Sequence, residues 1–138
     1  MQADELVKEV LAIVNTLREQ EMGSLSGDTL SRLAVKLASY KASLGESVAE
    51  AKKLAWDAEA EHYRDRAEKY QELRDEGRGS TDSEELKRLR SHESFVALNK
   101  AKYNETLIST LHRDCHDLID GIKSRLIHLT QEAKESEI

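Results

Sequence analysis

Apolar residues recur along this chain in three stripes at helical spacing. Leu6, Val10, Ile13, Val14 and Leu17 stand at steps of 4, 3, 1 and 3, one face of an amphipathic helix over about residues 2–21. Met22 to Asp28 interrupts that stripe with Gly23, Gly27 and two serines. Asp28 or Ser26 is placed to cap the next helix by accepting its orphan N–H groups. Leu30, Leu33, Leu37, Tyr40, Leu44, Val48, Ala51, Ala55, Ala58 and His62 then follow at steps of 3, 4, 3, 4, 4, 3, 4, 3 and 4. This is a heptad seam with a four-residue irregularity around Leu44, and it predicts a helix over about 29–76. After Ala49 the seam changes from leucine-rich to alanine-rich, which lets a neighbouring helix approach closely. Trp56, Tyr63 and Tyr70 repeat every seven residues on a flanking row. Their rings suit a subunit contact or stacking on a base.

Residues 77–81 form a turn with two glycines available for left-handed conformations. Thr81-Asp-Ser-Glu84 reads as a capping box that restarts a helix at once. The third stripe is Leu86, Leu89, Val96, Tyr103, Leu107, Leu111, Cys115, Leu118, Ile122, Leu126 and Leu129, predicting one helix over about 82–134. Gly121 costs that helix roughly 1 kcal/mol against alanine and marks close packing or a weak point. Lys134 to Ile138 are polar and expected to fray. A short connection forces the two long helices to pack antiparallel. Each would reach roughly 70–80 Å at the helical rise, whereas a compact 138-residue globule measures only about 30–40 Å across. The expected architecture is all-α: a short N-terminal helix and a long, coiled-coil-like antiparallel hairpin, one domain over residues 1–138. A rod of that kind leaves stripes uncovered, so assembly into a homo-oligomer is expected.

Composition agrees with long helices. Hydrophobic residues are 38%, charged residues 35% and aromatics 4%, with no proline. No apolar run approaches membrane-spanning length and no signal-peptide pattern stands out, so a soluble, non-exported chain with no membrane partner is expected. The lone Cys115 excludes an intrachain disulfide framework and suits a reducing cytoplasm.

Charge and candidate chemistry narrow the picture. The net charge is −6, but residues 1–28 hold six acids against two bases, while residues 86–104 carry Lys87, Arg88, Arg90, Lys100 and Lys102 against Glu93 alone. A second basic group, Lys52, Lys53, Arg64, Arg66 and Lys69, is interleaved with Asp57, Glu59, Glu61 and Asp65. Local field therefore matters more than net charge. These bases read either as ordinary solvated helix surface or as a phosphate track, which requires positive charge but no sequence code. Tyr103 stands beside the second run, as a stacking ring for a single strand or as core. His112, Cys115, His116 and Asp120 share one helix face at metal-ligand spacing, but Cys115 extends the apolar stripe, favouring a buried thiol beside surface histidines. There is no glycine-rich phosphate loop, Walker lysine or nucleophile elbow, so neither catalysis nor a cofactor is expected.

Asp120-Gly-Ile-Lys-Ser-Arg125, closing a long helix and followed by Leu126-Ile-His-Leu129, resembles the C-terminal signature of phage recombination mediators of the UvsY type, which carry a similar Ala-Ile-Lys-Ser-Arg segment near their C-terminus. Leu37 to Tyr70 also looks like that family's central helix, with Ser39-Tyr40, then Ala49-Glu-Ala-Lys-Lys53, then Glu61-His-Tyr63. The resemblance covers roughly residues 30–130. It implies a non-catalytic protein that binds single-stranded DNA coated with single-strand-binding protein and helps load a RecA-like recombinase in its place. It also implies a homo-oligomeric ring of about six to eight subunits, working in the cytoplasm of an infected host. The positions carried over by the resemblance are Lys52, Lys53, Lys123 and Arg125. The family's bases precede its central tyrosine. Here that place holds Asp57, Glu59 and Glu61, and bases follow at Arg64, Arg66 and Lys69, so the DNA contact would be shifted by a turn or two, or weakened. The rival expectation is a phage scaffolding coiled coil or protein-binding adaptor without a nucleic-acid role.

Overall fold

The computed structural model describes residues 3–20 and 22–137. Among them the chain is all-helical: α1 (Ala3–Glu19), a short 3-10 turn (Met22–Ser24), α2 (Gly27–Asp75), α3 (Ser80–Arg90) and α4 (His92–Ser136), with no strand. The expected ends at residues 2, 21 and 138 lie outside the described residues. No helix among those described is long and apolar enough to cross a membrane.

Local chemistry explains the boundaries. Ser26 caps α2: its hydroxyl accepts from the Thr29 N–H at 3.2 Å, and its carbonyl accepts from the Leu30 N–H at 3.0 Å. The helix therefore begins two residues before the expected position 29. At the other end Gly77 adopts φ +86, a left-handed conformation natural only to glycine. The Gly77 N–H donates to the Arg74 carbonyl at 3.0 Å and the Arg78 N–H to the Leu73 carbonyl at 3.2 Å. This paired pattern is the Schellman motif, and it satisfies the last carbonyls of α2.

The expected capping box at Thr81–Glu84 does not form. Gly79 is the N-cap of α3 and no side chain caps it; Glu84 is instead bonded to Lys87 at 2.5 Å. Nor is there one helix over 82–134. Ser91 interrupts it, with φ −98 and ψ 17. The Ser91 hydroxyl donates back to the Lys87 carbonyl at 2.6 Å, a bond of the kind that bends helices. At its C-terminal end α4 runs to Ser136, past the expected end at Lys134.

The chain divides into two compact units, Met1–Val48 with Leu107–Ile138, and Ala49–Thr106. The first has an apolar core. Leu6, Val10, Val14 and Leu17 of α1 are buried, as are Leu30, Leu37, Tyr40 and Leu44 of α2 and Ile108, Leu111, Cys115, Ile119 and Ile122 of α4. Burying each large side chain contributes roughly 1.5–3 kcal/mol. The Tyr40 hydroxyl donates to the Glu9 carboxylate on α1, which holds its proton above the ordinary tyrosine range. A β-carbon on Gly27 would meet Leu126 at 3.9 Å and one on Gly45 would meet His112 at 3.7 Å, both ordinary contacts.

The second unit is built differently. Its buried residues are Ala51, Ala55, His62, Leu73, Ser83, Ser91 and Leu98, mostly small or polar. The seam expected on α2 is buried or half-buried throughout, from Leu30 to His62. The stripe expected after the turn is not. Leu89, Val96 and Tyr103 are exposed, at 74%, 49% and 71%. Inward positions instead run Ser83, Lys87, Ser91, Ser94, Leu98 and Ala101, buried or half-buried at steps of 4, 4, 3, 4 and 3 straight through Ser91.

Leu44→Ala, at a fully buried position, should lower unfolding free energy by about 2–5 kcal/mol, whereas Leu89→Ala should change it by no more than about 0.5 kcal/mol. Urea unfolding followed by circular dichroism measures both, and equal losses would contradict the register described.

Candidate nucleic-acid interface

The corner where α3 gives way to α4 gathers side chains from all three helices of the second unit. Arg88, His92 and Phe95 follow one another at helical steps across the break, while His62 and Arg66 lie one turn apart on α2. With Ser91 they line a cavity of about 440 Å³. Beneath it lies a hydrogen-bonded chain. The Ser94 hydroxyl is 2.8 Å from His62 Nδ1, 2.7 Å from Asp65 Oδ2 and 2.9 Å from the Ser91 carbonyl. A hydroxyl has one proton to give. When Ser94 gives it to Asp65 or to the Ser91 carbonyl, the Nδ1–H of His62 must donate to Ser94. Nε2 is then the imidazole nitrogen left open. His62 is 7% exposed and its ring lies 5.7 Å from that of Phe95.

The other basic positions separate into two groups. Five hold carboxylates. Arg64 pairs with Glu61 at 2.6 Å, Lys87 with Glu84 at 2.5 Å, and Lys69 stands 4.0 Å from Asp65 and 3.7 Å from Glu72. Arg90 grips Glu76 through both terminal nitrogens, at 2.8 and 3.1 Å. Arg125 reaches Glu132 at 3.8 Å, and its Nε is buried without a hydrogen-bond partner. Lys87 also stands 5.5 Å from the Tyr70 ring centre. The basic run over 87–90 is therefore partly neutralised in space by acids that lie outside it. By contrast Lys52, Lys53, Lys100, Lys102 and Lys123 are exposed and hold no ion pair among the described residues. At the cavity Arg66, half-buried, and Arg88, exposed, likewise hold no ion pair among the described residues.

Exposed rings accompany these cations. On α2 Lys52, Trp56, Tyr63 and Arg66 follow at steps of 4, 7 and 3, one side of the helix. Trp56 is 71% exposed and Tyr63 60%. On α4 Lys100 precedes the exposed Tyr103 by one turn, and Phe95 precedes Lys102 by two. Cations and aromatic faces in alternation are what a single-strand surface uses.

In the first unit Lys123 lines a separate hollow with Ala38, Lys41, Gly45, His112 and Ile119. Nearby, Lys41 Nζ lies 2.8 Å from His116 Nδ1. An ammonium only donates, so His116 accepts there, and its Nε2–H faces Asp120 at 3.3 Å. Burial pushes the Cys115 thiol up, and the Asp114 carboxylate adds to the effect. Among the described residues no three of His, Cys, Asp and Glu come together as metal ligands.

Sequence reasoning assigned Arg66 and Arg88 to two separate basic groups and did not pair them. His92 and Phe95 carry no sequence signal of their own, and His62 enters there as a seam position and within Glu61-His-Tyr63. Only the helical spacing of Arg88, His92 and Phe95 across Ser91 was a usable signal. No protein-family model, curated protein or solved structure matches this chain.

Ser94→Ala should cost about 1–3 kcal/mol, because His62 and Asp65 lose their shared partner in a half-buried site; urea unfolding would test it. A second expectation concerns pH. The Arg90 guanidinium, with help from Arg78, holds the Glu76 carboxyl below its usual range. A depressed carboxyl stabilises the fold above its unfolded pKa and loses that contribution as pH falls through the folded value. The melting-temperature gap between wild type and Arg90→Gln should therefore be widest near neutrality and close below about pH 4. A gap unchanged from pH 7 to pH 3 would mean the pair contributes nothing.

Proposed function

We propose that this chain is a recombination mediator of the phage UvsY type, which binds single-stranded DNA and helps load a RecA-like recombinase onto DNA coated with single-strand-binding protein. One observation carries the reading. Residues 49–106 turn small and polar side chains inward and leave Trp56, Tyr63, Phe95 and Tyr103 outward, among unpaired cations. A unit designed only for its own stability would bury those rings, since each offers 150–250 Å² of surface. Strand bases stack on the rings while Lys52, Lys53, Lys100, Lys102 and Arg66 meet phosphates, with little preference for sequence. Lys123, from the terminal motif, supplies a second contact; Arg125, the other position of that motif, is held by Glu132. Many modest contacts hold a strand yet allow release to the recombinase, because linked weak sites gain from effective concentration.

In this reading α2 folds against α3 and α4 as an antiparallel hairpin. Support comes from partners that fall in number along α4 as positions rise along α2, such as Gly27 with Leu126, Lys41 with His116 and Gly45 with His112. Copies then join into a closed homo-oligomeric ring, with no catalytic activity, in the cytoplasm of the infected host. The rival, a scaffolding coiled coil or adaptor of a phage, is favoured by one fact: Val35 and Leu54 are large apolar residues left exposed.

Fluorescence anisotropy with a labelled oligothymidylate separates the two. The mediator should bind at low salt, with log affinity falling linearly against log salt at a slope of about −0.7 per phosphate neutralised. Reversing Lys52, Lys53, Lys100 and Lys102 to glutamate should weaken binding by tenfold or more, about 1.4 kcal/mol, without changing oligomer mass in solution. Absence of binding at low salt by an intact oligomer would leave the scaffold.

A further inference from the structure

We propose that the cavity at the α3–α4 corner recognises a terminal phosphate, the phosphomonoester end of a nucleic-acid strand, with the adjoining base against Phe95. The charge balance there is unusual for this chain. It has 27 acidic residues against 21 lysines and arginines, yet no carboxylate lines the cavity and neither Arg66 nor Arg88 is ion-paired. Two neighbouring acids, Glu84 and Asp65, are engaged elsewhere. Glu84 feels both arginines but is bonded to Lys87 at 2.5 Å. Asp65 is held by Ser94 at 2.7 Å and faces Lys69. Two guanidiniums from different helices are thus left with no carboxylate partner, beside His92.

That set matches a phosphomonoester better than an internal linkage. An internal phosphodiester carries one negative charge; a terminal phosphate carries about −1.5 to −2 near pH 7, with three acceptor oxygens. Two planar guanidiniums can each bind such oxygens bidentately. The volume of about 440 Å³ lies within the range of small-ligand sites, about 300–1,000 Å³. Phe95, 46% exposed at the wall, offers a ring face for a base. That the phosphate belongs to a strand rests on the nucleic-acid reading above; the phosphate chemistry does not.

Isothermal titration calorimetry on the full-length protein tests this with oligothymidylates bearing a phosphate at the 5′ end, at the 3′ end or at neither, and with thymidine monophosphate. One phosphorylated strand should bind about tenfold more tightly than the bare strand. The double variant Arg66→Gln/Arg88→Gln, checked for unchanged helix content, should lose that difference. Equal binding of all three strands would overturn the proposal and leave the nucleic-acid reading standing, as would an end preference that survives in the double variant. Binding of the free nucleotide but of no strand would support the phosphate site and sink the strand as its source. Silence from every ligand would overturn both.

Discussion

The character of residues 49–106 depends on which side of α3 and α4 turns inward, and Ser91 stands on that side, fully buried. Burying the apolar heptad would have faced Leu89, Val96 and Tyr103 toward α2. The Ser91 hydroxyl bonds back to the Lys87 carbonyl, and its own carbonyl accepts from the Phe95 N–H and the Ser94 hydroxyl. Ser91, Ser94 and Leu98 turn inward, with Ser94 bonded to His62 of the seam. Small residues leave room for a polar chain through Ser94, and each buried hydroxyl finds an acceptor, which makes a polar seam tolerable. The large apolar and aromatic side chains of the opposite side, Leu89, Val96 and Tyr103, face outward.

The same corner shows how an acidic chain can still present a positive surface. Carboxylates are plentiful, but they act over only a few ångströms, and several are held by a cation of their own, as Glu61 is by Arg64 and Glu84 by Lys87. Five of the twelve candidate cations are tied in this way. The others face solvent or the cavity without a partner. Exposed pairs of this sort contribute little to stability, typically 0–1 kcal/mol. Their main consequence is to remove particular charges from a ligand's view, so the surface is sculpted by pairing as much as by composition.

How much was readable in advance follows from the same physics. On α2 the seam from Leu30 to His62 could be followed position by position, because one uninterrupted helix preserves its phase over many turns. Leu111, Cys115 and Ile122 on α4 were equally legible, for each is apolar and stands in phase with its neighbours. Leu89, Val96 and Tyr103 misled because their sevenfold spacing is a true heptad, but one on the outward side. Hydrophobic periodicity carries no sign of an inward side built largely from serine and alanine. The candidate cavity was hidden for a related reason: its two arginines stand 22 positions apart in the chain, and only the fold sets them on one wall.

Cys115 has a consequence of its own. Its sulfur is fully enclosed in the apolar core of the first unit, and burial keeps it in the thiol form. Since the thiolate is the species that attacks electrophiles, the enclosed cysteine is chemically silent while that core stays shut. Being the single cysteine of the chain, it acts as a built-in clock: its rate of alkylation counts how often the first unit breathes open.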